Sequence, residues 1–300
     1  MDDQLACPDP SEVHYSQLRI RDPFIVPVIE ERKYYLFGTT SFPGEPRHFD
    51  CYVGTDLMHW HGPHRVFSPR GDYWGTDDFW ASEVHRFGGK YFLFATFKAP
   101  GRCRGTDILM SATDSPRGPY VPHTASSPIT PHDWECLDGT LFVDNGSEPW
   151  LVFCHEWAQV HDGKMCAVQL SPDLTRAIGE PAVLFTASKA SWSVSQNGND
   201  YVTDGPFLHR TETGKLLMLW SSFHTGTYCL GVARSESGTI LGPWHHDHPL
   251  LLSDDGGHGM LFHDFDGRMM LALHRPNKKP LERPVLLAVE EAGDELRIVK

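Results

Sequence analysis

Three aspartates and a histidine recur in this chain at nearly the same place before a short apolar run. They are Asp22 in Arg21-Asp22-Pro23-Phe24, Asp138 in Leu137-Asp138-Gly139-Thr140, Asp204 in Thr203-Asp204-Gly205-Pro206, and His258 in Gly257-His258-Gly259. A fifth copy places Trp80 there, with Glu83 three residues later. The offsets to the next apolar run are 12, 11, 12, 12 and 11 residues, taking Asp22, Trp80, Asp138, Asp204 and His258 in order. Carboxyl groups crowded into one cleft repel each other. The repulsion raises the pKa of at least one, which then keeps a proton to donate, while another stays ionised and activates water. One Asp-Pro or Asp-Gly pair alone would read as a turn former. Three aspartates in one phase of a repeat point instead to acid–base catalysis, provided the fold brings them together.

The elements that carry them repeat five times. The apolar runs Tyr34-Tyr35-Leu36-Phe37, Tyr91-Phe92-Leu93-Phe94, Trp150-Leu151-Val152-Phe153, Leu216-Leu217-Met218-Leu219 and Met269-Met270-Leu271-Ala272 are spaced by 57, 59, 66 and 53 residues. Each follows a turn such as Gly88-Gly89-Lys90 or Asp266-Gly267-Arg268, with another apolar stretch before it. That is the signature of a hairpin. Two further short strands follow in each unit, for example Cys166-Ala167-Val168-Gln169 and Leu230-Gly231-Val232-Ala233. The runs are too short and too aromatic for helices. Four strands repeated five times predict an all-β chain folded as a five-bladed β-propeller with four-stranded blades. A β-sandwich also has many short strands, but not a five-fold internal repeat. The propeller accounts for residues 1–300 as a single catalytic domain, with residues 1–15 as an N-terminal extension. Cyclic repeats place equivalent residues in a ring, so the candidate residues should converge at one mouth of the central channel.

Composition narrows the partners. The formal net charge is −13 and basic residues are not clustered, which argues against nucleic acid and anionic membranes. No apolar run approaches the ~20 residues of a membrane-spanning helix. The N-terminus MDDQLACPDP lacks the pattern of a secretory signal, and the seven scattered cysteines form no C-x-x-C pair. Both features fit a cytoplasmic protein with reduced thiols. No H-E-x-x-H zinc motif, nucleophile elbow or phosphate-binding loop is present.

The repeat motifs resemble glycoside hydrolase family 43. Arg21-Asp22-Pro23-Phe24 with Tyr34-Tyr35-Leu36-Phe37-Gly38-Thr39 resembles the first-blade signature of that family. Trp80-Ala81-Ser82-Glu83-Val84, Asp138-Gly139-Thr140-Leu141-Phe142, Asp204-Gly205-Pro206-Phe207 and Gly257-His258-Gly259 resemble the segments of the following four blades. The resemblance covers residues 20 to 275. It implies an inverting hydrolase of furanosyl or pentosyl linkages, of the α-L-arabinofuranosidase or β-xylosidase type, acting on an oligosaccharide. A β-D-galactofuranosidase and a non-catalytic carbohydrate-binding propeller are the alternatives. By the same resemblance Asp22 is the general base, Asp138 orients the acid and tunes its pKa, and Asp204 stands where the family usually has a glutamate as general acid. Glu83 or Glu156 is the alternative proton source if the shorter Asp204 falls short. Trp80 would stack on the sugar, with Trp157, Glu83 and Arg275 as further substrate contacts. No cofactor is required. A structural Ca2+ in the channel, near His258, is the one ion the resemblance allows. The oligomeric state is not legible.

Overall fold

A computed structural model describes residues 11–124, 127–247 and 249–299. Residues 1–10 of the expected N-terminal extension lie outside the described residues. The chain forms β1 (Ser11–His14), β2 (Arg21–Val28), β3 (Lys33–Thr39), β4 (Phe49–Gly54) and β5 (His59–Phe67) as blade 1. Blade 2 is β6 (Asp77–Phe87), β7 (Lys90–Lys98), β8 (Gly105–Ser111) and β9 (Tyr120–Pro122). Blade 3 comprises β10 (Cys136–Val143), β11 (Pro149–His155), β12 (Lys164–Leu170) and β13 (Ala177–Thr186), with a one-turn helix α1 (Trp157–Val160) after β11. Blade 4 holds β14 (Asp204–Arg210), β15 (Leu216–His224), β16 (Thr227–Ser235) and β17 (Trp244–His245). Blade 5 holds β18 (Gly257–His263), β19 (Met269–Arg275), β20 (Arg283–Ala292) and β21 (Glu295–Ile298).

Each blade is an antiparallel meander. The innermost strands β2, β6, β10, β14 and β18 each contact the next, and β18 returns to β2, so the five sheets close into a propeller. Blade 1 differs from the four-strand expectation. Its β1 pairs with β5, Glu12 opposite His61 and His14 opposite His59, and adds a fifth, outermost strand. Residues 11–14 of the expected extension therefore belong to blade 1.

Burial explains the sequence pattern. A blade is covered on both faces by its neighbours, so its second strand is apolar throughout. Tyr34, Tyr35, Leu36 and Phe37 in β3 are all buried. The outer strand β5 instead alternates exposed and buried residues, as a half-solvated strand should. Between blades 1 and 2 the fully buried Phe97 meets Phe79 edge-on at 4.9 Å and Phe49 at 5.7 Å. Each ring buried this way contributes ~1.5–3 kcal/mol.

At the mouth of the channel every inner strand makes the same bulge. The ladder breaks after Arg21, Trp80, Leu137, Asp204 and Gly257. The next residue in each blade has left-handed backbone: Asp22 (φ 52°), Ala81 (45°), Asp138 (55°), Gly205 (53°) and His258 (53°). For the four non-glycine residues this conformation costs roughly 1–2 kcal/mol each. The bulge also strips each of these residues of its ladder partner, and the preceding blade replaces it. Thr39 Oγ1 accepts the Ala81 N–H at 2.8 Å, Thr96 Oγ1 the Asp138 N–H at 2.9 Å, and Ser221 Oγ the His258 N–H at 2.7 Å. His274 Nδ1 accepts the Asp22 N–H at 3.2 Å and closes the circle from blade 5 to blade 1.

This ring makes Thr96→Val a sharp test. The variant keeps the shape of the side chain but leaves a buried N–H without an acceptor, and should lose about 1–3 kcal/mol. Urea unfolding should show a lower midpoint for Thr96→Val and a near-parental one for Thr96→Ser. A parental midpoint for the valine variant would remove the ring from the account of stability.

Candidate active site

The bulges carry the candidate residues into one cleft of ≈ 690 Å³. Asp22, Asp138, Asp204 and His258 all line it, together with Trp80, Trp157 and Tyr228. The phase of the repeat needs one correction. Asp22, Asp138 and His258 occupy the left-handed position, and Gly205 fills it in blade 4. Asp204 and Trp80 stand one residue earlier, in step with Arg21, Leu137 and Gly257. Counting to the next apolar run conceals this for two reasons: the blade 1 hairpin is one residue longer than that of blade 4, Phe24 pairing with Phe37 but Phe207 with Leu219, and the blade 3 run starts one ladder position nearer the bulge.

His258 is the centre of the cluster. Its Nδ1 lies 3.2 Å from Asp22 Oδ1 and 3.7 Å from Asp138 Oδ2. Burial works against a charged imidazole, but Asp22 and Asp138 outweigh it and raise its pKa to about 10. Asp22 is the mirror case. Burial pushes its carboxyl up, yet the His258 charge and hydrogen bond, with Arg21 beside it, hold it well below the ordinary carboxylate range. Thr39 Oγ1 donates to Asp22 Oδ2 at 2.8 Å and fixes the carboxylate plane. Burial lowers the His274 pKa against the opposing pull of Asp22. With Nδ1 accepting from Asp22, its Nε2–H turns to Asn277 Oδ1 at 3.4 Å, an oxygen that also accepts from Arg21 Nη1 at 2.7 Å.

The other two aspartates shift the opposite way. Burial raises Asp138 to about 7, with repulsion from Asp204 and Asp22 adding to it against the pull of His258. Burial also raises Asp204, whose Oδ2 accepts the Tyr228 hydroxyl at 3.0 Å. Blade 3 explains how Asp138 is held. Where the other blades present Thr, Ser or His to the next bulge, it presents Cys154 opposite Leu137. Thiol sulfur is a weak acceptor, and the Gly205 N–H goes to Asp138 Oδ2 instead, at 3.0 Å. The bulge bond that elsewhere only supports the backbone here orients a carboxyl.

Two expected substrate contacts lie elsewhere. Glu83 is buried beyond the bulge, in phase with Phe24 and Phe207, and its Oε2 sits 3.0 Å from His85 Nε2. Arg275 is drawn off by Asp254 Oδ2 at 2.7 Å, and Asn277 and Lys279 from the following loop line the cleft in its place. Trp157, at the start of α1, does reach it. So does Trp80, but the Arg104 guanidinium lies 4.5 Å from its ring centroid. Arg104 also pairs with Asp78 at 3.0 Å and with Glu156, so the Glu156 carboxyl is already engaged. Arg104 and Tyr228 have no motif in the sequence: Tyr228 sits on the middle strand β16, and Arg104 in the loop just before β8, each beside a plain apolar run. For the metal expectation, His258 Nε2 is buried and without a partner. No group of three or more His, Cys, Asp or Glu side chains is placed to hold an ion among the described residues. A Ca2+ beside His258 would therefore depend on water for its remaining ligands. A second cavity of ≈ 450 Å³, between the loop over residues 249–254 and β21, holds none of the candidate site residues.

A propeller that gathers one carboxyl held low and two raised by burial in an aromatic-lined cleft has the make-up of a glycoside hydrolase. Comparison with known proteins agrees. Residues 16–291 match the model of glycosyl hydrolases family 43. An endo-arabinase from Bacteroides thetaiotaomicron is 42% identical, with a TM-score of 0.86 over 94% of this chain and 98% of that one. A thermostable family-43 glycoside hydrolase (22% identity, TM-score 0.79, 95% and 96% covered) and an endo-1,4-beta-xylanase from Bacteroides thetaiotaomicron (23%, 0.76, 98% and 97%) share the fold. Comparison with curated proteins returns no match. The chain belongs to glycoside hydrolase family 43.

The raised pKa of Asp138 has a stability consequence with a definite sign. Its proton is held more tightly in the folded chain than in the unfolded one, whose value is near 3.8. The fold therefore weakens as pH rises from ~4 to ~7 and carries the full cost above that. Asp138→Asn removes the ionisation and keeps an oxygen for Gly205. It should melt above the parent at pH 8, and the difference should close by pH 4. A gap of equal size at both pH values would show that ionisation is not its source.

Proposed function

We propose that this chain hydrolyses furanosyl or pentosyl linkages with inversion of configuration, and that arabinan-type oligosaccharides are its substrates. One observation carries the mechanism: in a single cleft the Asp22 carboxyl is held well below the ordinary carboxylate range, while burial raises those of Asp138 and Asp204. Asp22 acts as the general base. It removes a proton from a water molecule as the water oxygen attacks the anomeric carbon. The bond from that carbon to the leaving oxygen breaks, and Asp204 delivers its proton to that oxygen. Solvent then takes the proton from Asp22 and restores the one on Asp204. Inverting pairs sit ~6.5–9.5 Å apart so that a water fits between base and sugar. Asp138, oriented by Gly205 and coupled to both His258 and Asp204, keeps the acid protonated. No step requires a metal.

The sugar-binding parts follow from the cleft. Trp80 offers the face or edge that Arg104 leaves open, and Trp157 a second apolar surface across the cleft. The likeness to an endo-arabinase makes arabinofuranosyl linkages the first choice over xylosyl ones.

The assignments separate by leaving group. Asp22→Asn should lose on the order of a thousandfold or more in kcat on every substrate, since general-base help alone is worth ~10²–10⁴. Asp204→Asn should lose turnover of arabino-oligosaccharides but largely keep that of a dinitrophenyl arabinofuranoside, whose leaving group needs no proton. Proton NMR of the first product should show the inverted anomer. Retained configuration, or an Asp204→Asn variant impaired equally on both substrates, would overturn the mechanism.

A further inference from the structure

Asp204 differs from the other carboxyls of the cleft in how it is held. Asp22 is fixed by Thr39 and His258, and Asp138 by a backbone N–H. The side-chain hydrogen bond that holds Asp204 comes from Tyr228, whose hydroxyl donates to Oδ2 at 3.0 Å. Tyr228 is 1% exposed, and its ring is wedged from three sides. It stacks on His274 at 5.6 Å and 21°, and packs against Phe223 at 5.2 Å. On the third side lies Gly257, where a Cβ would stand 2.5 Å from the ring carbon Cε1. The phenol has no room to turn away, so its donor is aimed permanently at one oxygen of Asp204. Burial raises the Tyr228 pKa well above the ordinary phenol value, so the hydroxyl stays a donor.

We propose that Tyr228 is the positioning residue of the general acid. By occupying Oδ2 of Asp204 it leaves Oδ1 as the oxygen that carries the transferable proton, and it sets the carboxyl plane toward the leaving oxygen. The proposal rests on Asp204 being the acid. A single short side chain projecting from the residue before a bulge has only two torsions to settle, and a donor clamped on all sides settles the second. Misplacement of a reacting group by ~1 Å costs on the order of a hundredfold, which is the scale of effect to look for.

The experiment is Tyr228→Phe, assayed on an arabino-oligosaccharide and on a dinitrophenyl arabinofuranoside. The expected result is a loss of tenfold or more in kcat on the oligosaccharide with little change in KM, and a much smaller loss on the dinitrophenyl substrate. In an Asp204→Asn background the same substitution should have no further effect on the oligosaccharide, because its target is gone. Equal losses on both substrates, or full additivity in the double variant, would assign Tyr228 to packing alone and overturn the proposal. If Asp204→Asn itself discriminates between the substrates and Tyr228→Phe does not, this proposal falls while the acid assignment stands. If Asp204→Asn does not discriminate, the acid assignment is what has failed. Should Tyr228→Phe fold poorly, 3-fluorotyrosine placed at position 228 keeps the ring and its hydroxyl but changes the strength of the donor, and the change in kcat should again be selective for the oligosaccharide; an equal change on both substrates would overturn the proposal.

Discussion

A backbone N–H that the bulge has cut from its ladder must find a partner, and the whole centre of this molecule is organised by that requirement. The bulge puts the residue after it into left-handed conformation and turns its N–H toward the neighbouring blade. An unpaired buried N–H would cost about as much as a core cavity of methyl size. Thr39, Thr96, Ser221 and His274 each meet that need for the blade that follows. Elsewhere the blades meet largely through apolar side chains, which are tolerant of sliding, with a few polar ties such as Ser82 to Gly38 and His209 to Glu291. The directional bonds at the mouth remove that tolerance, and they do so within one residue of Asp22, Asp138 and His258.

Symmetry at the backbone makes asymmetry at the side chains useful. Five equivalent positions hold aspartate, alanine, aspartate, glycine and histidine. Two anions and one cation at the same level of a narrow channel cannot ionise independently. The imidazolium stabilises the nearer carboxylate, Asp22, at 3.2 Å, more than Asp138 at 3.7 Å. Half an ångström, with the help of Thr39 and Arg21, divides two chemically identical side chains into an ionised one and one that titrates near 7. Cys154 contributes by what it does not do. A threonine there would compete for the Gly205 N–H, and Asp138 would lose the bond that orients it.

The repeat was readable because packing on both faces of a blade imposes uninterrupted apolar runs, and five such runs with hairpin turns leave few architectures open. The three aspartates and His258 were readable because their phase in that repeat is almost constant. What stayed hidden has a common cause. The one-residue lag of Asp204 behind Asp22 depends on ladder register, which hairpins of unequal length disguise. Glu83 and Arg275 are of the right types for sugar contacts, yet His85 and Asp254 hold them elsewhere, and pairings between distant segments leave no local mark. Tyr228 lies on a strand whose composition reads as core, and Arg104 in the loop that leads into another. The fifth strand of blade 1 follows from pairing between residues 11–14 and 59–62, again a non-local fact.

The lag of Asp204 also sets it apart from Asp22 and Asp138 in how its backbone is held. A residue at the bulge position itself is tied to the preceding blade through its N–H, and its side chain shares the charge cluster around His258. One residue earlier, Asp204 still belongs to the ladder, opposite Ser221, so its backbone is fixed by its own blade. Its carboxyl points to Tyr228 on the third strand of that blade, while the glycine after it takes the left-handed turn. A Cβ at Gly205 would stand 2.6 Å from the His258 ring, so His258 packs close against the blade 4 backbone beside Asp204. A side chain at position 205 would push the His258 ring away from that backbone, so the glycine is what lets the imidazole reach Asp22 and Asp138 from blade 5.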